Sequence, residues 1–219
     1  MNTLTHFATL KVSGADAAQF LQGQLTNDIH ELDKAHHQLS AFCNRQGRVL
    51  ALMDIFRIED EYFLTLPEEL LTTILPLLQK YIVFSKVNIE DVSNEYSVTV
   101  NQDFLLTQMR ALIPFIGTAQ SGQFLPHPLG LVELGAVSFK KGCFVGQEII
   151  ARMQHRTTNT KSLHYFEIQQ SHIPAIGETI NIPDYPSTTL VNTLEIHPGT
   201  HAILVILDAK MLYTTADES

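Results

Sequence analysis

Two apolar runs, residues 39–43 and 49–58, flank the polar stretch Asn44-Arg45-Gln46-Gly47-Arg48. A connection that short reverses the chain, so the two runs are expected to pair as an antiparallel hairpin. Arg45 and Arg48 at its tip are either solvated or line an anion-binding pocket. Residues 6–13 are a predicted strand, and Ser13-Gly14-Ala15-Asp16 offers caps for a helix with Ala17, Phe20, Leu21 and Leu25 on one face. Gln22-Gly23-Gln24-Leu25-Thr26-Asn27-Asp28 reads as the polar end of that helix. After a further strand at 62–66, Pro67-Glu68-Glu69 starts a second helix, because proline suits its first position and acids favour its positive end. Leu70, Leu71, Ile74, Leu75 and Leu78 form its apolar face, and Pro76 predicts a kink. Residues 81–89 and 96–100 alternate as strands do, and 103–113 is a predicted helix with Phe104, Leu105 and Leu112 apolar. The breaker-rich loop 117–130 is long enough to be functional or to wrap a surface.

Beyond Thr157-Thr158-Asn159-Thr160 the texture changes. Residues 162–169, 178–182, 190–196 and 202–207 are short strand candidates separated by Pro/Gly turns. That pattern suggests a small antiparallel barrel or sandwich appended to an α+β body, hence a division into 1–160 and 161–219.

Composition narrows the function classes. The 219 residues suffice for one large domain or two modest ones, and 45% apolar with 17% charged residues is globular. A net charge of −9 argues against tight, non-specific binding to a phosphate backbone. Cys43 and Cys143 give no disulfide framework and no CxxC pair. The ten histidines are scattered and no metal site is expected; two thiols fall short of the four usual for an iron–sulfur cluster. The N-terminus has no signal-peptide pattern, and no apolar run reaches the roughly 20 residues that span a bilayer. A soluble, cytoplasmic protein with no direct nucleic-acid or membrane partner is expected. GxGxxG, P-loop, GxSxG and HExxH motifs are all missing.

The chemistry concentrates in Val137-Ser138-Phe139-Lys140-Lys141-Gly142-Cys143-Phe144-Val145-Gly146-Gln147-Glu148 and the helix that follows through Arg156. Residues 137–139 have strand-like composition, 140–143 suit a turn, and helical spacing begins near Phe144 or Gly146 with Val145, Ile149 and Met153 as its stripe. Glu148 and Arg152 form a favourable i,i+4 pair. A cysteine before a helix N-terminus and beside two lysines has two reasons to favour thiolate, and glycine on each side leaves room for another molecule. Lys140, Lys141, Arg152 and Arg156 make a local basic patch able to attract an anion. The alternative is that Cys143 fills space while the lysines are solvated.

The run from Lys141 to Glu148 resembles the signature of the YgfZ family, folate-binding proteins related to the aminomethyltransferase (T protein) of the glycine cleavage system. Residues Phe20-Leu21-Gln22-Gly23-Gln24-Leu25-Thr26-Asn27-Asp28 are similar to that family's N-terminal segment. Cys43 to Arg48 resembles its C-x-x-x-G-R hairpin, and Ser121-Gly122-Gln123-Phe124-Leu125-Pro126 and Ser138-Phe139-Lys140 resemble its approach to the signature. The resemblance implies a GcvT/YgfZ-like α+β fold, with ferredoxin-like portions around a central cavity and a small C-terminal antiparallel β-barrel. It implies tetrahydrofolate as ligand, and iron–sulfur enzymes or their assembly factors as partners, tRNA-modifying enzymes among them.

Cys143 is then the functional residue. Lys140, Lys141, Gln147, Glu148, Arg152 and Arg156 are the candidate folate- or anion-binding groups, and Gly142 and Gly146 serve the motif's backbone. One departure stands out. Related aminomethyltransferases carry R-x-E-A-G-(L/I)-P, where the glutamate recognises the pterin, and Gln108-Met109-Arg110-Ala111-Leu112-Ile113-Pro114 corresponds to it here. Arg110 offers donors where an acceptor is needed, which counts against the alternative of a one-carbon (aminomethyl) transferase.

Overall fold

The computed structural model describes residues 4–33, 36–83, 85–155, 160–185 and 188–208. The predicted hairpin is present as β2 (His37–Cys43) and β3 (Val49–Ile58), antiparallel, with Leu39 opposite Asp54 and Phe42 opposite Ala51. With β1 (Thr5–Ser13), β4 (Glu61–Pro67), β5 (Asn88–Asp91) and β6 (Val98–Val100) it builds a six-stranded antiparallel sheet in the order β2-β3-β4-β1-β5, β6 also pairing with β1. Period-2 alternation gives the sheet two different faces. Met53 and Ile55 of β3 and Leu64 and Leu66 of β4 point into one core, where α1 (Ala17–Gln24) contributes Phe20 and Leu21 and α2 (Leu71–Gln79) contributes Ile74 and Leu78. Leu25, which the helical spacing places with them, is fully buried as well.

The C-terminal strands β7 (Lys161–Gln169), β8 (Thr179–Ile180), β9 (Thr188–His197) and β10 (Thr200–Asp208) form a separate antiparallel sheet ordered β7-β10-β9-β8. The expected barrel is a half-barrel at most: β7 and β8 lie at opposite ends of this path, with no ladder closing it among the described residues. Strand β10 is buried on both faces, which explains its unbroken apolar run. Ile203, Val205 and Leu207 face a small core with Ile180 and Leu190. Ala202, Leu204 and Ile206 face a larger one with Cys43, Val49, Met109, Ile116 and Phe144. That second core therefore joins the C-terminal sheet to the other face of the hairpin.

Three local expectations are corrected. Residues 81–83 form a turn rather than a strand, since Tyr81 N–H donates back to Leu78 O at 3.0 Å. Residues 137–139 are not a strand: Ser138 N–H donates to Thr26 O at 2.9 Å without a ladder on either side. Helix α3 (Gln102–Arg110) starts one residue early, because the Asn101 side chain caps Phe104 N–H. It buries Met109, whereas Phe104 is 45% and Leu112 38% exposed.

Candidate functional site

Three motif segments far apart in the chain meet around Cys143. Thr26 N–H donates to Ala41 O at 2.9 Å, Thr26 Oγ1 donates to Ala136 O at 2.6 Å and accepts from Ala41 N–H at 2.8 Å. Asn27 Nδ2 donates to Leu39 O and to Gly135 O, both at 2.8 Å. Val145 N–H reaches Gly23 O at 3.2 Å. The segment expected to be a plain helix end is therefore a splice that holds the hairpin and the cysteine motif together.

Lys141 is the main fastener. It is buried, and its Nζ donates to Leu25 O at 2.7 Å and Asn27 O at 2.8 Å, with the ring of Phe144 5.2 Å away. Burial pushes its pKa down to about 8, with Asp28 pulling the other way. The ammonium thus spends two of its three donors on main-chain carbonyls, a structural role that sequence reasoning did not foresee. Gly146 has φ 83° and caps α4 (Gln147–Gln154); a Cβ there would stand 2.5 Å from Asn44 O and 2.9 Å from Gly47 Cα. Only glycine lets the hairpin turn and the helix start approach that closely.

The other expected residues are more open. Cys143 is an exposed free thiol, Gly142 and Lys140 are exposed, and Gln147 is half-buried. Glu148 and Arg152 form the predicted ion pair at 2.8 Å on the outer side of α4, at 81% and 58% side-chain exposure. The helix buries Ile150 fully, and the expected stripe of Val145, Ile149 and Met153 is only partly covered, because Ile149 and Ile150 both pack against Gly47. Arg156 lies outside the described residues. Of the hairpin-tip arginines, Arg48 donates to Gln123 O and Arg45 is exposed.

A cavity of about 760 Å³ opens on the face of the six-stranded sheet away from α1 and α2. Its walls are mainly apolar and aromatic, with Phe7, Leu52, Phe56, Phe104 and Phe115 among them, and Asn192 of β9 contributes from the second sheet. Lys140, Lys141, Cys143, Gln147, Glu148 and Arg152 are not among its lining residues. Two polar groups that sequence reasoning passed over are: Asp54 of β3 and His37 of β2, with Nδ1 2.9 Å from Oδ1. The signal was available, since Asp54 follows five consecutive apolar residues of the strand and stands between Leu52 and Phe56 on one face.

Arg110 stands clear of this cavity's lining. Its guanidinium pairs with Glu167 at 2.9 Å and reaches Tyr165 Oη at 3.4 Å, both on β7. The glutamate, the tyrosine and the arginine raise or lower each other as charge partners do: the hydrogen bond to Glu167 raises Arg110, and the same bond lowers Glu167. Leu112 adopts φ 57°. It occupies the place of the glycine in the aminomethyltransferase segment that residues 108–114 resemble, where a left-handed backbone costs a glycine nothing.

Comparison with known proteins agrees with this architecture. Residues 1–100 match the GCVT N-terminal domain. The chain is 24% identical to the tRNA-modifying protein YgfZ of Escherichia coli O6:H1 and 27% identical to that of Klebsiella pneumoniae, in each case over 95% of this chain and 85% of the relative. An uncharacterised protein of Haemophilus influenzae is 28% identical over 82% of this chain and 78% of its own. The alignments to YgfZ run over 278 positions against 219 residues here, so those relatives carry segments without a counterpart in this chain. The glycine cleavage system aminomethyltransferase T of Bartonella henselae superposes with a TM-score of 0.65 at 10% identity, over 94% of this chain and 78% of that one. Its likeness establishes the GcvT-like fold. The chain is thus a relative of the YgfZ proteins along nearly its whole length, built on the aminomethyltransferase fold.

Proposed function

We propose that this chain is a tetrahydrofolate-binding protein that supports iron–sulfur enzymes, tRNA-modifying enzymes among them, and acts through Cys143 in the cytoplasm. The observation that carries the reading is the way Cys143 is presented. An exposed thiol sits on a loop whose two ends are locked, by buried Lys141 on one side and by Gly146 against the hairpin on the other. So much interior structure around a single surface cysteine is hard to account for by packing, because Cys143 itself packs against little. The exposed motif residues Lys140, Glu148 and Arg152 belong, on this reading, with the thiol's surface, where a partner protein would meet them.

The ligand side rests on fit. A cavity of about 760 Å³ with aromatic walls lies within the usual range for small-molecule and cofactor sites. Phe56 and Phe104 are among the aromatic side chains in its wall, the kind of lining that suits a flat heterocycle. Tetrahydrofolate, when bound, supplies a reduced pterin able to carry one-carbon units. Among the described residues no lysine or arginine lines the cavity, so the anionic glutamate tail is expected to leave it.

The deciding experiment is iron–sulfur enzyme activity in cells lacking the gene, restored with wild type or Cys143→Ala, the melting temperature showing that the variant folds. Rescue by wild type alone supports a function at the thiol. Equal rescue by both would reduce Cys143 to a surface residue and end this reading of it. A one-carbon transferase is the second reading, favoured by an acid in the cavity lining, Asp54. It requires product formation from purified components.

A further inference from the structure

Three of the polar residues that line the cavity are already engaged within the protein. Asn192 donates through Nδ2 to Phe115 O at 2.8 Å and accepts from Phe115 N–H at 3.2 Å. Gln120 donates to Val191 O at 2.9 Å and accepts from Gly117 N–H at 3.1 Å. Thr65 Oγ1 lies 3.3 Å from Thr9 Oγ1, whose hydroxyl donates to Tyr96 O. Those three groups shape the wall, while Gln108 and Thr193 also line it as neutral side chains.

Asp54 differs. Its Oδ1 meets His37 Nδ1, its Oδ2 has no partner among the described residues, and its side chain is 47% exposed. The backbone fixes its direction: Leu52 and Phe56, two residues either side, line the same cavity, as do its cross-strand neighbours Leu39 and Thr65. About half of the Asp54 side chain remains accessible on the cavity side, so the carboxylate can be reached by a donor entering the cavity. His37 occupies one lone pair of Oδ1, so the second lone pair of that oxygen and the whole of Oδ2 are left for the ligand.

We infer that Asp54 is the group that selects the ligand, accepting the adjacent N–H donors of a 2-amino-4-oxopyrimidine edge. The inference rests on the folate reading and deepens it. In a pterin the ring N3–H and the exocyclic 2-amino group point the same way with the spacing of a carboxylate's two oxygens, a charge-assisted bidentate match. Arg110, at the position corresponding to the aminomethyltransferases' glutamate, faces β7 and takes no part. Guanine carries the same edge, so the test must separate the two sources.

The test is calorimetry on the full chain, which has no tryptophan to report binding optically. The probes are tetrahydrofolate under anaerobic conditions, its 2-desamino-2-methyl analogue, and guanosine, with wild type and Asp54→Asn. A site built to bond a donor pair rejects the analogue that lacks it. Wild type is expected to prefer tetrahydrofolate to the analogue by at least tenfold, and Asp54→Asn to erase that preference while melting within a few degrees of wild type. A preference that persists in Asp54→Asn overturns the role of Asp54 and leaves the folate reading standing. Guanosine bound in an Asp54-dependent way, with no binding of tetrahydrofolate, keeps the edge recognition and overturns the folate reading. Binding of none of the three overturns both.

Discussion

Lys141 and Cys43 show how burial sets the behaviour of single residues here. Lys141 offsets part of the cost of leaving water by donating to the carbonyls of Leu25 and Asn27, just beyond the end of α1. Lys141→Met removes both bonds and is expected to lower stability at pH 7 by about 1–3 kcal/mol in urea titrations. The pH dependence has a definite sign. The native pKa of about 8 lies below the ordinary 10.5, so between those values the unfolded chain holds a proton that the native protein lacks. Stability from this residue therefore rises with pH through that window, and the gap between wild type and Lys141→Met should widen from pH 8 to 10.5; a gap that narrows would show that the buried amine keeps its charge. Cys43 is the opposite case. Burial alone pushes its thiol up to about 12, so it stays protonated and shielded. A thiol reagent at pH 7.5 is expected to label one cysteine per native chain, none in Cys143→Ser, and a second only in denaturant; rapid labelling of two would contradict the buried position of Cys43.

At the scale of elements, the important contacts are between segments. The hairpin β2–β3, the end of α1 and the start of α4 are held by side-chain bonds to main-chain carbonyls that cross more than a hundred residues, such as Thr26 to Ala136 and Lys141 to Leu25. Gly146 is where two of these segments touch most closely. Gly146→Ala would force a Cβ against Asn44 O and keep a left-handed backbone, and is expected to cost about 2 kcal/mol or more in thermal or urea unfolding. Gly142→Ala makes a good control, since a Cβ there meets nothing within 4 Å. If both substitutions cost the same, the close approach of hairpin and helix is not what holds the motif. The hairpin, both N-terminal helices and the C-terminal strands were legible from apolar periodicity and turn residues, because each is decided over fewer than a dozen neighbours. Residues 81–83 and 137–139 were misjudged, since their alternation is compatible with a strand but no partner strand lies beside them.

For the whole molecule, the core around Leu204 decides how the chain unfolds. It draws Val49 and Cys43 from the hairpin, Met109 from α3 and Leu204 from β10 into one cluster, so neither sheet can lose the other without exposing apolar surface. Unfolding is expected to be one cooperative transition, and Leu204→Ala should lower it by about 2–5 kcal/mol for both sheets together. Two calorimetric peaks, with only the later moving, would show instead that the sheets are independent. By itself the sequence determined the hairpin, the helices and the C-terminal strands, the exposed acid–base pair Glu148–Arg152 and the motif that relates this chain to the YgfZ proteins, all of which depend on local spacing and residue type. The tertiary structure alone decided that Lys141 is a fastener, that Arg110 turns to β7, that Asp54 and His37 share a cavity, and that Cys143 is not among the residues lining it. Each of those depends on which distant carbonyl, carboxylate or strand face is brought alongside, and one-dimensional spacing carries no information about that.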